Sequence, residues 1–309
     1  MSGAPVVRHG DPARGAFLLR EGLAEVSVPA PGGNAIVLAC LGPGDLFGEM
    51  ALVDQGTCIA NVTASAALDG WFVEREAFRG AVSRRGPAAR DLQHALTMHL
   101  AERLRAMNAR LAAVDREDAP THPPAPESPF EPVRSRKGSF DAARFLAKLP
   151  FFDRFPPDEI DEVFAAGRML ELPRGAPLYR AGDPATAVYL VVRGAVEIAR
   201  PSPAGDRRLA ILGPGQPVGF VGALAGGMHG AHATVREGAA FLEIAADDFR
   251  TLYFGDEGVS VRVRAATQRH LLESLARTNR ALARLATHAR LAGAPLAGPA
   301  LWVETDQSR

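Results

Sequence analysis

Cysteine is nearly absent. Cys40 and Cys58 are the only two in 309 residues, so there is no disulfide framework and no paired-cysteine metal site. The cytoplasm is the compartment such a chain suits. Charge of either sign is not in excess: 35 basic and 35 acidic residues leave a formal net charge of +0. No whole-chain field draws in nucleic acid or an acidic membrane. No apolar run approaches the roughly 20 residues of a membrane span, and Met1–Asp11 is too short and polar for a secretory signal. Catalytic patterns are missing too. There is no Gly-rich Walker loop, no Ser-His-Asp order and no paired carboxylates. No catalytic residue is expected, and the chain is not expected to be an enzyme. His229, His232 and Glu237 come nearest to a metal cluster, but their spacing in a loop is not a zinc pattern. They read as core or solvated histidines, and no metal ligand is expected.

What is present is an internal repeat. Arg8-His9-Gly10-Asp11-Pro12-Ala13 returns as Arg180-Ala181-Gly182-Asp183-Pro184-Ala185, 172 residues on. Leu18, Gly22 and Glu25 return as Leu190, Gly194 and Glu197. Leu41-Gly42-Pro43-Gly44 returns as Leu212-Gly213-Pro214-Gly215 at 171, and so does His99-Leu100 with Glu102, Leu104, Asn108 and Leu111, as His270-Leu271 with Glu273, Leu275, Asn279 and Leu282. Each copy opens on short apolar runs around a glycine: Ala16–Leu19 and Glu25–Val28 about Gly22, Tyr189–Val192 and Val196–Ile198 about Gly194. Closely spaced strands of this kind predict a jelly roll or barrel. Each copy then changes to a helical period. Leu92, Leu96, Leu100, Leu104, Met107 and Leu111 form one stripe; Leu271, Leu275, Leu282, Leu285 and Leu291 form the other. The expected fold is therefore mainly β with α: two tandem jelly-roll β-barrels, each followed by a long helix.

Four segments follow. Residues 1–114 form the first domain, shortened at its N-terminus unless the true start lies upstream of Met1. Residues 115–140, with Pro120, Pro123, Pro124, Pro126, Pro129 and Pro132, form an extended linker. Arg136–Ser139 within it reads as solvated linker. Residues 141–292 form the second domain, with Phe145–Phe152 and a Pro-led, acid-rich helix start at Pro156–Ile160. Residues 293–309 form a tail, too short for a two-helix DNA reader. The second helix is rich in arginine (Arg262, Arg264, Arg269, Arg277, Arg280, Arg284, Arg290), read as a solvated face, with an acidic partner as the sharper alternative.

These residues resemble the cyclic-nucleotide-binding domains of catabolite-activator-type regulators, protein kinase A regulatory subunits and gated channels. The carriers are Gly10-Asp11-Pro12, Gly22, Leu41-Gly42-Pro43-Gly44-Asp45-Leu46-Phe47-Gly48-Glu49-Met50-Ala51-Leu52 and Ala60–Ala64. In the second copy they are Gly182-Asp183-Pro184, Gly194, Gly213-Pro214-Gly215, Gly219 and Ala233-Thr234-Val235. The resemblance implies a phosphate-binding cassette: a short helix whose N–H groups face an anion, a Glu for the ribose 2′-hydroxyl and an Arg for the cyclic phosphate. It also implies a long helix that covers the base and often dimerises.

Carried onto this sequence, Phe47, Gly48, Glu49, Met50 and Ala51 match the first cassette, but the Arg position is Cys58 and its neighbour Ile59. In the second, Gly219, Phe220, Val221 and Gly222 match the cassette, with Phe220 at the Glu position, Ala231 at the Arg position and His232 beside it. His229 or His232 could stand in for the arginine. Losing one charge-assisted bond costs about 1.5–3 kcal/mol, or roughly ten- to a hundredfold in affinity. Asn108 in the first helix and Thr278-Asn279 in the second take the place of the pair that meets the base, or else fix helix register.

The resulting expectation is a cytoplasmic, non-catalytic sensor of a small anion, a cyclic nucleotide by resemblance, with no other cofactor, DNA or membrane. It would signal through its long helices to an unidentified protein partner. A scaffold whose pockets no longer bind is the alternative. Pairing of the long helices within one chain or in a homodimer is expected, the homodimer being favoured.

Overall fold

The computed structural model describes residues 3–29, 35–53, 56–84, 86–113, 133–134, 146–201 and 205–291. Most of the expected linker, including Arg136–Ser139, and the whole tail lie outside them.

The first copy comprises β1 (Pro5–Val7), β2 (Gly15–Glu21), β3 (Ala24–Pro29), β4 (Ala35–Leu41), β5 (Leu46–Phe47), α1 (Met50–Val53), β6 (Asn61–Ala64), β7 (Asp69–Glu74), α2 (Arg75–Ser83) and α3 (Pro87–Ala113). Its strands form two sheets, ordered β1-β6-β3-β4 and β5-β2-β7. Alternating side chains of both close on Leu19, Ala24, Val26, Leu41, Phe47 and Val62.

The second copy adds β8 (Val133–Arg134), a 3₁₀ turn at Pro150–Phe152, α4 (Pro157–Ala165), β9 (Gly167–Leu172), β10 (Pro177–Tyr179), β11 (Ala187–Arg200), β12 (Arg207–Leu212), β13 (Pro217–Val218), α5 (Phe220–Ala225), β14 (His232–Ala245), α6 (Ala246–Phe254) and α7 (Gly258–Leu291). The sheet runs β12-β11-β14-β9-β8, with β10 and β13 branching from it. α4 starts as expected, with proline in its first turn followed by Asp158 and Glu159.

Both copies are thus jelly-roll-like, but among the described residues neither closes into a hydrogen-bonded barrel. Two further differences stand out. The turn expected at Gly194 is a bulge: β11 continues through it, with register shifts on both sides, so one strand serves both halves of the sheet. Within the expected linker, Val133 and Arg134 pair with Glu171 and Leu170 as an edge strand, the position a proline-flanked segment can take.

The chain divides into two compact units, Met1–Ala89 with Leu272–Arg309, and Arg90–Leu271. The expected domains, 1–114 and 141–292, gave each long helix to its own copy. The units instead take α3 from Arg90 onward with the second copy and α7 from Leu272 onward with the first.

The reason within the second unit is a buried polar network. Arg264, expected on a solvated face, is 2% exposed. Its Nε donates to Gln93 Oε1 at 2.9 Å, and its Nη1 donates to the carbonyls of Tyr253 and of Gly255, the latter at 2.9 Å. Those carbonyls end α6, where the helix dipole is negative. Burial pulls the guanidinium below its usual range, opposed in part by the Asp256 charge. Thr97 is saturated: its hydroxyl donates to the Gln93 carbonyl at 2.9 Å and accepts from Tyr253 Oη at 2.7 Å and Gln268 Nε2 at 3.1 Å. Gln268 Nε2 also donates to the Gln93 carbonyl at 2.8 Å. Gln93 and Arg264 occupy the same place in the two copies, 171 residues apart, as do Thr97 and Gln268. The helices therefore meet at equivalent positions through polar groups. Leu92, the first member of the leucine stripe, is 42% exposed, while Leu96, Leu100, Met107 and Leu111 are buried.

Gln93→Ala strips the Nε–H partner from a buried charge and is expected to cost about 1–3 kcal/mol in urea unfolding. Gln93→Leu with Arg264→Met removes both halves and is expected to cost less than the two single changes together. Strict additivity would contradict the coupling.

Candidate functional site

In the first copy the Gly-Pro-Gly turn leads through β5 into Gly48, whose φ of +75° and close approach (a Cβ would lie 2.7 Å from the Gly15 carbonyl oxygen) admit only glycine. The chain then turns into α1, with Ala51 and Leu52 N–H donating to Gly48 and Glu49 carbonyls. Phe47 stacks on Phe17 at 5.0 Å, and Ala51 is fully buried. Glu49 is 5% exposed, a carboxylate brought inside the domain at the cassette turn.

A residue the sequence reading missed holds this turn. Arg75, opening α2, donates from Nε to the Ala51 carbonyl at 2.7 Å and from Nη2 to the Ala13 carbonyl. In the second copy Arg250, from α6, donates to the Ala223 carbonyl at 2.8 Å. Each cassette helix therefore has a guanidinium at its carbonyl end, the favourable sign for the dipole. The two arginines sit one helical turn apart in the repeat frame, which hides the equivalence from alignment.

Cys58 is half-buried. Its N–H donates to the Asp11 carbonyl at 2.8 Å and its carbonyl accepts from Gly10 N–H at 2.8 Å. Burial, and then the Asp11 charge, push the thiol above its usual range. It stays neutral near pH 7 and offers an anion no countercharge. The neighbouring Ile59 is half-buried.

In the second copy the same pair of bonds falls on His229: its N–H donates to the Asp183 carbonyl and its carbonyl accepts from Gly182 N–H, both at 2.9 Å. The isolated bridge Pro12–Thr57 likewise matches Pro184–Met228. This moves the equivalent of Cys58 from Ala231, two residues further along, to His229. The strand register pairs Ala24 with Ala64 and Val196 with Val235, so Val235 answers to Ala64 rather than Val62, two residues off the spacing of the first copy.

His229 is buried and stacks face to face on Tyr179, ring centroids 3.5 Å apart. Its Cε1 lies 3.0 Å from where a Cβ on Gly219 would be, and Gly219 has φ +85°. Phe220 is buried edge-on against His270 of α7, centroids 5.7 Å apart. His232 accepts from Ala181 N–H through Nδ1 at 3.0 Å and turns Nε2 toward Asp206 at 3.7 Å. Val221 and Gly222 lie in α5, and a Cβ on Gly222 would lie 2.7 Å from the Ala185 Cβ. The second cassette is thus lined by aromatic rings where the first has a carboxylate. Of the residues expected to cover the base, Thr278 (buried) and Asn279 fall in the compact unit of the first copy, and Asn108 in that of the second.

Two domains of this architecture, each with a glycine-led cassette helix, define a cyclic-nucleotide-binding type of fold. The chain belongs to the cyclic nucleotide-binding domain family, whose model matches residues 1–85 and 169–256, more than half of it. It is 33% identical over 104 residues to the cyclic AMP receptor protein of Thermus thermophilus, covering 33% of this chain and 48% of that one. It is 28% identical over 118 residues to a CRP-like cAMP-activated global transcriptional regulator of Mycobacterium tuberculosis, covering 38% and 51%. The chain spans about half the length of these curated relatives. Among solved structures, the regulatory domain of Toxoplasma gondii protein kinase A with cAMP aligns over 84% of this chain and 80% of that chain, at 20% identity and TM-score 0.35. No helix among the described residues is long and apolar enough to cross a membrane.

Burial is the main cause that pulls His229 below its ordinary pKa of 6.5, with the Asp183 charge opposing. Below about pH 6.5 the unfolded chain takes up a proton that the folded chain resists, so stability falls as pH drops toward the folded value and is level above. His94, also lowered by burial, acts in the same direction. The urea midpoint of the parent chain is therefore expected to fall more between pH 7 and 5 than that of His229→Gln. Equal slopes would contradict the buried neutral imidazole.

Proposed function

We propose that the chain is a non-catalytic, cytoplasmic sensor whose first domain binds a cyclic nucleotide and whose second domain has lost that capacity. The observation that carries this reading is the contrast at the cassette turn: buried Glu49 beside Gly48 in one copy, buried Phe220 beside Gly219 in the other. Glu49 accepts from a ribose hydroxyl, the N–H groups of α1 face the phosphate, and Arg75 steadies the helix. Cys58 leaves the phosphate without a cation, so affinity is modest. Thr278 and Asn279, grouped with the first domain, would cover the base.

Ligand shifts the protein only through unequal affinity for two states. Here α7 is the element that carries the difference, since it runs from the Arg264 network into the unit of the first domain. The in-chain meeting of Gln93 with Arg264 and Thr97 with Gln268 supports a single chain that imitates a two-chain dimer, over the homodimer favoured by the sequence. The scaffold alternative shares every feature except ligand binding.

Calorimetric titration with cyclic mono- and dinucleotides separates the two. Saturable binding is expected, at least tenfold weaker in Glu49→Ala and roughly ten- to a hundredfold tighter in Cys58→Arg. No heat at millimolar ligand, in the parent chain or in Cys58→Arg, would leave the scaffold.

A further inference from the structure

The surroundings of the cassette turn differ between the copies. In the second, the nearest atoms to a Cβ built on Gly219 are His229 Cε1 at 3.0 Å, the Ala187 carbonyl oxygen at 3.3 Å and Tyr179 Cε1 at 3.4 Å. Two stacked rings thus close over the turn. Repeat spacing, matching backbone bonds and strand register give their counterparts in the first copy. Cys58 answers to His229 and Val7 to Tyr179, with Val7 opposite Val62 where Tyr179 is opposite Ala233. Beside Gly48 the three nearest atoms, at 2.7, 3.6 and 3.8 Å, are all backbone, from Gly15 and Ala16. No side chain comes as close to this turn as the rings do in the second copy. Around it stand a buried carboxylate, Glu49, the half-buried thiol of Cys58 and two valines, Val7 half-buried and Val62 buried.

Charge says what such a pocket takes. From Glu21 to Glu74 the chain has seven Asp or Glu and no Lys, Arg or His, whereas the matching stretch 192–245 has five Arg and two His. The arginines that flank the acidic stretch are engaged: Arg20 pairs with Asp69, and Arg75 donates to the Ala51 and Ala13 carbonyls. Asp11 lies close enough to Cys58 for its charge to push the thiol further up. A cleft lined by one sign of charge focuses its field and repels a ligand of that sign. A carboxylate calls for hydroxyl or N–H donors and has lone pairs for several. A ribose diol supplies two such donors without charge, where a 3′,5′-cyclic phosphate keeps one and adds an anion. The valines suit the flat apolar face of a base.

Resting on the reading of the first domain as the one that binds, we infer that its pocket selects an uncharged ribonucleoside over that nucleoside's own cyclic phosphate. Calorimetric titration of the full chain compares adenosine and guanosine with cyclic AMP and cyclic GMP, at low and at high salt. The nucleoside that binds is expected to do so about tenfold or more tighter than its cyclic phosphate. Salt is expected to narrow the gap by tightening the cyclic phosphate alone, because screening relieves only the repulsion of the anion. The matching 2′-deoxynucleoside is expected to bind about tenfold more weakly in the parent chain, and Glu49→Ala to erase that difference. Cys58→Arg is expected to reverse the preference and Cys58→Ser to keep it. A cyclic phosphate that binds as tightly as its nucleoside, or a 2′-deoxynucleoside that binds as tightly as the ribonucleoside, overturns the preference while the first domain stays a binding one. Nucleoside binding untouched by Glu49→Ala overturns it as well. No heat from any of these ligands at millimolar concentration overturns both the preference and the reading beneath it.

Discussion

A buried guanidinium needs acceptors for its N–H groups, and the three found at Arg264 tie together the helices of the second unit. No carboxylate touches it in the described hydrogen bonds. The end of α6 supplies two carbonyls and Gln93 supplies the third acceptor. A charge held by neutral dipoles is stable only while all of them stay in place. α3, which follows the first copy in sequence, is thereby tied to α6 and α7 of the second. Tyr253, whose phenol burial pushes up to about 12, remains a neutral donor and locks Thr97 into the same set. A leucine seam would permit sliding by a turn; a saturated hydrogen-bond set does not.

Much of this was legible in the sequence, and the parts that were not share a cause. The repeat, the strand-rich fold, the helix ends near 113 and 291 and the proline-led α4 follow from local pattern. What escaped was set by partners distant in sequence. An arginine on a helix reads as solvated until a helix C-terminus is placed against it. The His229 equivalence needed strand register, because the two copies differ in how their residues lie along β6 and β14. The bulge at Gly194 likewise depends on which strands are neighbours, which periodicity does not report.

The two cassettes show how one backbone device can diverge while its scaffold persists. Gly48 and Gly219 keep the left-handed turn, and Arg75 and Arg250 keep the brace, from different positions on their helices. The chemistry between these fixed points has changed. One copy retains a carboxylate and loses its cation; the other fills the same region with Phe220, His229 and Tyr179. Retention of the turn without the ligand-facing groups fits a second domain kept for its packing, with Phe220 meeting His270 on α7, two residues beyond Gln268.

Hydrogen exchange of backbone amides, with and without saturating cyclic AMP, tests the central claim most directly. The account predicts slowed exchange at residues 48–53 and along α7 beyond Leu272, with residues 219–225 unchanged. Protection confined to residues 219–225 would contradict it.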